Sequence, residues 1–295
     1  MTVVRMSGVS KRYGDLTALD GVSMELQENR IHGLLGRNGA GKTTVMQILT
    51  GQGFETAGTV EVFGQHPYEN ANVLNRVCFI KESQRYPDNF KVKHAMRAAQ
   101  LLHASWDDGF ARELIADFGL PADRSIKKLS RGMLSIVGVI IGLASRAPLT
   151  FFDEPYLGLD AVARQMFYDR LLADYSEHPR TVVLSTHLID EVSDLIEHVV
   201  LIDKGRVLID EDADALRSRA VTVTGPVAAV ESFVAGRTQL HREQLGGFLR
   251  VTVSGVPERP MVGGLEFEPV SLQQLVVRTT QTNGAPVGAG NGGVR

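Results

Sequence analysis

The feature that most constrains the fold is a glycine-rich segment at residues 36–43, which reads Gly-Arg-Asn-Gly-Ala-Gly-Lys-Thr. The apolar run Ile31-His32-Gly33-Leu34-Leu35 before it is typical of a buried strand, and Lys42 to Thr50 after it is typical of a helix. Glycines in such a loop let backbone N–H groups turn inward around a phosphate, and the helix presents its positive end to the same anion. The order of strand, glycine loop and helix therefore predicts a nucleotide-binding α/β protein.

The side chains of this loop supply the groups that a bound triphosphate requires. Lys42 is expected to reach the β- and γ-phosphates, and the Thr43 hydroxyl is expected to ligate Mg²⁺. The other residues predicted to surround the phosphates are Gly36, Arg37, Asn38, Gly39, Ala40, Gly41 and Thr44. A glycine-rich turn without function is the alternative, and the flanking strand and helix argue against it.

An acidic pair follows a second buried strand, Leu149 to Phe152. Asp153 is expected to hold Mg²⁺ through water, and Glu154 is expected to orient and partly deprotonate the water that attacks the γ-phosphate. Two acids at the end of a strand often form only a solvated turn. The phosphate loop earlier in the chain favours the catalytic interpretation here.

Strand-like and helix-like stretches alternate along the chain, which predicts an α/β fold with a largely parallel central sheet. Val3 to Val9 and Ala18 to Leu26 resemble antiparallel strands, and Thr59 to Phe63 is expected to join them. Residues 84–145 are predicted to form an inserted helical subdomain, in which Ile136 to Ala144 is a buried helix. A domain boundary is predicted near residue 219.

Beyond that boundary, residues 220–280 are expected to form a small α+β lobe, and residues 281–295, rich in Gly and Asn, a disordered tail. The elements predicted in the lobe are strands at Val221–Thr224 and Leu249–Val253 and helices at Val227–Val234 and Ser271–Thr279. The lobe carries no motif.

The composition limits the kinds of partner that the chain is expected to have. The net charge is −3 and no run of Lys or Arg stands out, so no nucleic-acid partner is predicted. The single cysteine, Cys78, excludes an internal disulfide framework and is expected to be a small buried residue in a strand. No signal peptide is expected, and no run reaches the roughly 20 apolar residues of a membrane span. A role at a membrane is therefore expected to come through a partner.

Taken in order, the motifs resemble those of the ATP-binding subunits of ABC transporters, across residues 2–215. Tyr13 matches the aromatic residue that stacks on adenine. The segment Leu129-Ser130-Arg131-Gly132-Met133 takes the place of the signature sequence LSGGQ, and Leu157-Gly158-Leu159-Asp160 matches the D-loop. His187, in Ser185-Thr186-His187, matches the switch histidine that contacts the γ-phosphate.

The resemblance implies a P-loop NTPase fold with a helical and an antiparallel β subdomain, spanning residues 2–219. It implies a subunit that binds ATP and Mg²⁺ and that dimerises head to tail, with itself or with a related subunit. Each nucleotide is then enclosed by the phosphate loop of one copy and the signature of the other, and Lys42, Glu154 and His187 act in hydrolysis. The resemblance also implies a separate integral membrane permease that holds the subunit at the cytoplasmic face.

The C-terminal lobe resembles the extensions of ATP-binding subunits similar to those of ABC-2-type exporters, which implies export. A lobe that stabilises the dimer or docks on the partner is the alternative. Two other function classes would leave different signals in the sequence. A soluble ABC-type ATPase acting on a macromolecular partner would be expected to carry a coiled coil or a second cassette, and a small-molecule kinase would need no signature, D-loop or switch histidine.

The chain departs from the family pattern at two places. The glutamine expected after the strand Val77-Cys78-Phe79-Ile80 is replaced, and either Glu82 or Gln84 takes its role beside Mg²⁺. We favour Glu82, since a carboxylate accepts a hydrogen bond from metal-bound water. In the signature, Ser130 is predicted to cap a helix and donate to phosphate, and Gly132 to allow close backbone approach.

Arg131 and Met133 are the residues of the signature that differ. Methionine cannot complete the capping box that the usual glutamine forms with the serine. A cation in the first helical turn is unfavourable on dipole grounds, but it would be favourable near a triphosphate. The hypothesis is that Arg131 adds charge to the composite nucleotide site, and the alternative is a side chain that faces solvent.

Overall fold

The computed structural model describes residues 1–82, 84–218, 220–254 and 263–276. These residues divide into two compact units, Met1–Glu211 and the residues from Asp212 onward. The strands of the first unit are β1 (Thr2–Tyr13), β2 (Leu16–Gln27), β3 (Ile31–Leu35), β4 (Ala57–Val62), β5 (Val77–Ile80), β6 (Leu149–Asp153), β7 (Thr181–Thr186), β8 (His198–Asp203) and β9 (Arg206–Asp212). Its helices are α1 (Lys42–Leu49), α2 (Ala71–Leu74), α3 (Val92–Leu102), α4 (Asp108–Asp117), α5 (Arg131–Ala144), α6 (Ala161–Glu177) and α7 (Ile189–Val192), with a 3₁₀ turn at Ile126–Lys128.

The central sheet has six strands in the order β5-β6-β7-β3-β8-β9, and the first five run parallel. All five residues of β3 and all six of β7 are buried, as expected of strands covered on both faces. Lys204 and Gly205, both with positive φ, form the two-residue turn between β8 and β9. The predicted α/β fold with a largely parallel sheet is confirmed.

A second sheet of three antiparallel strands has the order β2-β1-β4, and it contains the three segments predicted to pair. One apolar core joins both sheets through α1. On α1, the side chains of Val45, Met46 and Leu49 are completely buried in this core, together with Phe151 of the central sheet. The helix that follows the phosphate loop is therefore fixed on both sides by apolar packing.

The segment predicted to be helical contains α3, α4 and α5. Residues Ile136 to Ala144 of α5 are all buried, as predicted. A Cβ on Gly142 would lie 2.4 Å from a ring carbon of Phe152, and one on Gly138 would lie 2.9 Å from Ile80 Cγ2. These glycines therefore let α5 approach the central sheet closely. Cys78 lies buried in β5, where burial raises the pKa of its thiol to about 11.

The second unit is an antiparallel sheet in the order β11-β12-β10-β13. Its elements are α8 (Ala213–Ser218), β10 (Ala220–Pro226), α9 (Val227–Val234), β11 (Gln239–Leu245), β12 (Phe248–Ser254), β13 (Glu266–Pro269) and a helical turn at 272–276. Val223, Val230 and Val251 form the centre of its apolar core. The unit begins earlier than the boundary expected near 219, because α8 packs against β10.

Two strands of this unit, β11 and β13, were not predicted from the sequence. β11 is mostly exposed and β13 is short, so neither shows the alternation of apolar and polar residues that indicates a half-buried strand. The predicted helix Ser271–Thr279 is described only as far as residue 276, and the tail predicted from 281 lies outside the described residues. None of the helices in the described part of the chain has the length and apolar character that a membrane span needs.

A buried charge cluster ties α6 to the end of α5 and the start of β7. Asp174 Oδ2 accepts a hydrogen bond of 2.6 Å from Arg180 Nη1, and its Oδ1 accepts one of 2.7 Å from Arg146 Nη2. Both Asp174 and Arg180 are about 95% buried or more. Arg146 also pairs with Asp107, the N-cap of α4, at 2.7 Å. One carboxylate therefore compensates two guanidinium groups inside the fold.

We predict that Asp174→Asn lowers the free energy of unfolding by about 3–5 kcal/mol, because it leaves buried arginine charge without its partner. Urea denaturation followed by circular dichroism measures the change. Asp169→Asn is the matched control, since Asp169 lies exposed on the same helix and bonds only Gln165 in the described contacts. A loss no larger than that of the control would contradict a stabilising role for the cluster.

Candidate functional site

The backbone of the phosphate loop requires glycine at two positions. Gly36 has φ 154°, and a Cβ there would lie 2.3 Å from the carbonyl oxygen of Ile202. Gly41, at the N-terminus of α1, has φ 113°, and a Cβ would lie 3.0 Å from the carbonyl oxygen of Ala18. Steric contact therefore excludes larger residues, and the loop closes tightly over the end of β3.

Lys42 lies at the centre of the loop. Its side chain is about 93% buried, and Nζ donates a hydrogen bond of 2.7 Å to the carbonyl oxygen of Gly36. Nζ also lies 3.4 Å from Oε1 of Glu154. A buried ammonium group is stable only when it is paired and hydrogen-bonded, and both conditions are met here.

Thr43 and Asp153 are brought together from two elements that are distant in the sequence. Thr43 Oγ1, on the first turn of α1, donates a hydrogen bond of 2.8 Å to Oδ2 of Asp153 at the end of β6. A hydroxyl and a carboxylate are the hard oxygen ligands that Mg²⁺ takes. No cluster of three or more His, Cys, Asp or Glu residues with metal-ligand geometry occurs among the described residues. The pair therefore fits an ion that receives its other ligands from phosphates and water.

Glu154 follows directly and is held in an unusual conformation, with φ 50°. Its Oε2 lies 3.0 Å from Nδ1 of His187, on the side of the carboxylate opposite the contact with Lys42. Burial raises the pKa of the Glu154 carboxyl, whereas the charges of Lys42 and His187 act in the opposite direction. A carboxylate with a raised pKa is a stronger base toward water.

Tyr156 also contacts Glu154 and His187, although the sequence did not predict a role for it. Its hydroxyl is hydrogen-bonded to Oε2 of Glu154, to Oγ1 of Thr186 and to the backbone N of His187. The residue is 2% exposed. The only signal in the sequence is its position between the acidic pair and the D-loop, which does not specify a partner.

Lys42, Thr43, Glu154 and His187 border one cleft of about 700 Å³, a size typical of small-molecule sites. Besides the phosphate loop from Arg37 to Thr44, the residues that line it are Tyr13, Leu16, Thr17, Ala18, Glu82, Glu154, Leu157 and His187. Tyr13 is half exposed at the opening, and Lys11 Nζ lies 5.0 Å from the centre of its ring. Glu82 lines the cleft and Gln84 does not, but the choice between them for the role beside Mg²⁺ stays a prediction.

The signature lies outside the lining of this cleft. Ser130 is the N-cap of α5, and its Oγ accepts a hydrogen bond of 3.2 Å from the backbone N of Met133. A Cβ on Gly132 would lie 2.5 Å from the carbonyl oxygen of Gly158. This glycine is therefore required for contact between the signature and the D-loop of the same chain. Asp160, also outside the cleft, caps α6 by accepting from the backbone N of Ala163 at 2.8 Å.

The two departures from the family pattern contact each other. Arg131 Nη2 donates a hydrogen bond of 2.7 Å to Oε1 of Glu82, although the two residues are 49 positions apart in the chain. The side chain of Arg131 is 69% exposed and that of Glu82 is 42% exposed. Neither the composite-site hypothesis nor the solvent-facing alternative for Arg131 included this partner within the chain.

Comparisons with known proteins also relate this chain to ABC transporters. Residues 19–157 match the family model described as ABC transporter. The chain is 27% identical to the bacitracin transport ATP-binding protein BcrA of Bacillus licheniformis over 221 residues, covering 74% of this chain and 72% of the relative. It is also 27% identical to the Nod factor export ATP-binding protein I of Cupriavidus metallidurans, covering 94% of this chain and 97% of the relative.

Solved structures share the fold. One, described as the ATP binding subunit of an ABC transporter, is superimposed with a TM-score of 0.66 at 21% identity, covering 73% of this chain and 92% of that one. A bacterial Atm1-family ABC exporter with ATP bound gives a TM-score of 0.61 at 22% identity, covering 73% of this chain and 40% of that one. With the cleft, the ordered motifs and the family match taken together, the chain contains an ATP-binding domain of the ABC transporter family, which is an ATPase.

Proposed function

We propose that this chain is the ATP-hydrolysing subunit of an ABC exporter and that it works with a separate membrane-spanning permease at the cytoplasmic face of the membrane. The single observation that carries the proposal is the contact of the buried side chains of Lys42 and Glu154 with each other and of Glu154 with His187, beside the Thr43–Asp153 pair. These groups provide a cation for phosphate, a base for water and oxygen ligands for an ion, within one cleft.

In the reaction, water attacks the γ-phosphate of ATP and ADP leaves. Glu154 orients the attacking water and accepts its proton, which its raised pKa favours. Lys42 and His187 neutralise the charge that develops on the phosphate oxygens. Thr43, Asp153 and Glu82 would hold Mg²⁺, which, when bound, lowers the charge on the same oxygens. Tyr13 would stack on adenine at the opening of the cleft.

The subunit is proposed to act as a dimer, either with itself or with a related subunit. Ser130, Arg131 and Asp160 are exposed and lie outside the cleft of their own chain. The exposed N-terminus of α5 carries the hydrogen-bond donors and the positive helix end that suit a phosphate. Two copies placed head to tail would bring the signature of each, including Gly132, to the nucleotide of the other.

The proposal of export draws on the relatives. The match to the Nod factor export protein extends over 94% of the chain, so it includes most of the C-terminal lobe as well as the ATP-binding domain. We assign the first unit, Met1–Glu211, to the ATP-binding domain, and the unit that follows it to a lobe that docks on the permease or stabilises the dimer. Purifying the chain from membranes in detergent, and identifying the proteins that are recovered with it, tests whether its partner is a membrane permease. Recovery with a ribosome or a chromosome complex, and with no membrane protein, would overturn the transporter assignment.

We predict that Glu154→Gln binds ATP with near-normal affinity but hydrolyses it at least about 100-fold more slowly, because the amide cannot accept a proton. The dimer should accumulate in the presence of ATP and Mg²⁺. Phosphate release measures turnover, equilibrium binding of a fluorescent ATP analogue measures affinity, and size-exclusion chromatography measures the dimer. Glu177→Gln, at an exposed position on α6, is the control. Normal turnover in Glu154→Gln would remove this residue from the mechanism.

A further prediction concerns the ion pair between Arg131 and Glu82. Arg131→Ala should release the carboxylate for Mg²⁺, whereas Glu82→Gln should remove its charge. The Mg²⁺ concentration for half-maximal ATPase activity should therefore fall in the first variant and rise in the second. An exposed pair contributes up to about 1 kcal/mol, so the fall in Arg131→Ala should be at most about fivefold.

Titration of the ATPase rate with Mg²⁺ at saturating ATP distinguishes the two variants. Arg112→Ala is the matched control, because Arg112 is an exposed arginine that pairs with Asp108 on α4, away from the cleft. Shifts in the same direction for both test variants would show that Arg131 does not compete with Mg²⁺ for Glu82.

A further inference from the structure

We propose that Tyr156 is a positioning residue for ATP hydrolysis, whose hydroxyl holds the carboxylate of Glu154 and links it to the backbone of the switch segment around His187. This role presupposes the function proposed above for Glu154. Tyr156 is not expected to touch ATP, since it does not line the cleft. It acts on the reaction through the group that it orients.

The Tyr156 hydroxyl accepts hydrogen bonds from the switch segment. The backbone N of Leu188 donates to Oγ1 of Thr186 at 2.9 Å, and the Thr186 hydroxyl donates to the hydroxyl of Tyr156, also at 2.9 Å. The backbone N of His187 donates to the same hydroxyl at 3.2 Å. A phenol hydroxyl that accepts two bonds retains one hydrogen to give.

That hydrogen goes to Oε2 of Glu154, since an ionised carboxylate only accepts. Nδ1 of His187 lies 3.1 Å from the Tyr156 hydroxyl and 3.0 Å from the same carboxylate oxygen, and it donates to the carboxylate in the tautomer that carries a hydrogen on Nδ1. A continuous chain of donors therefore runs from Leu188 through Thr186 and Tyr156 to Glu154. Successive bonds in such a chain strengthen one another in a buried site.

The consequence is that Glu154 is oriented from both sides. Lys42 faces Oε1 at 3.4 Å, and Tyr156 with His187 faces Oε2. The backbone of Glu154 has φ 50°, which is uncommon for a residue with a side chain and persists only when its surroundings hold it. Removing one of the two supports would let the carboxylate rotate away from the direction in which water must be held.

The principal test is Tyr156→Phe, which removes the hydroxyl and keeps the ring. We expect kcat for ATP to fall by about 10- to 100-fold, the effect of losing a hydrogen bond to a charged group, while KM and the affinity for ATP change by less than about threefold. Tyr168→Phe is the matched control. Tyr168 is also buried, but its hydroxyl has no hydrogen-bond partner among the described residues, so its loss should leave kcat unchanged.

A double-variant comparison separates positioning from a purely structural role. In the Glu154→Gln background, Tyr156→Phe should cause little additional loss of turnover, because the group that it orients is already inactive. An equal loss in both backgrounds, a change in KM alone, or an unchanged kcat in Tyr156→Phe would each overturn the proposal. A normal rate in Glu154→Gln itself would instead overturn the mechanism proposed for Glu154, so the two failures are distinct.

A second variant covers the case in which Tyr156→Phe does not fold. Thr186→Val removes one donor to the Tyr156 hydroxyl and leaves the tyrosine in place. We expect a smaller fall in kcat, about 3- to 10-fold, again with KM unchanged. A kcat equal to that of the original chain in this variant, with the fold intact by circular dichroism, would show that the chain of donors does not control Glu154.

Discussion

The parallel pairing of β6, β7 and β3 is the constraint on which the site depends. In register, Leu35 at the end of β3 pairs with Thr186 at the end of β7, and Asp153 at the end of β6 pairs with Ser185. Three segments that lie far apart in the chain therefore leave the sheet at one edge and at one level. Ligands of open parallel sheets bind outside this edge. The phosphate loop, the acidic pair and the switch histidine meet because of this strand order.

Much of this arrangement could be predicted, because the relevant signals are local. The glycine spacing from Gly36 to Gly41 identifies the loop, and the buried runs before it and before Asp153 identify the strands that carry the two halves of the site. The Thr43–Asp153 contact follows once both strands are placed in a parallel sheet. Ser130 as a helix cap is also a local inference, and its contact with the backbone N of Met133 confirms it.

The contacts that could not be predicted join residues whose partners are set by the tertiary fold. Tyr156 is a plain aromatic residue in the sequence, and only the folded chain places its hydroxyl between Glu154 and the switch segment. Arg131 and Glu82 are each unusual for the family, but nothing in either local pattern indicates that they pair. β11 is an exposed, polar edge strand, so its pairing with β12 leaves no periodic signal.

The contact between Gly132 and Gly158 has a structural consequence. No side chain separates the two backbones at this point, so the start of α5 and the D-loop are packed in direct contact. Leu157, adjacent to Gly158, borders the nucleotide cleft of its own chain. In the proposed dimer, the signature that meets one nucleotide would therefore be packed against the segment that borders the other nucleotide's cleft, which places the two sites in contact through the backbone of one chain.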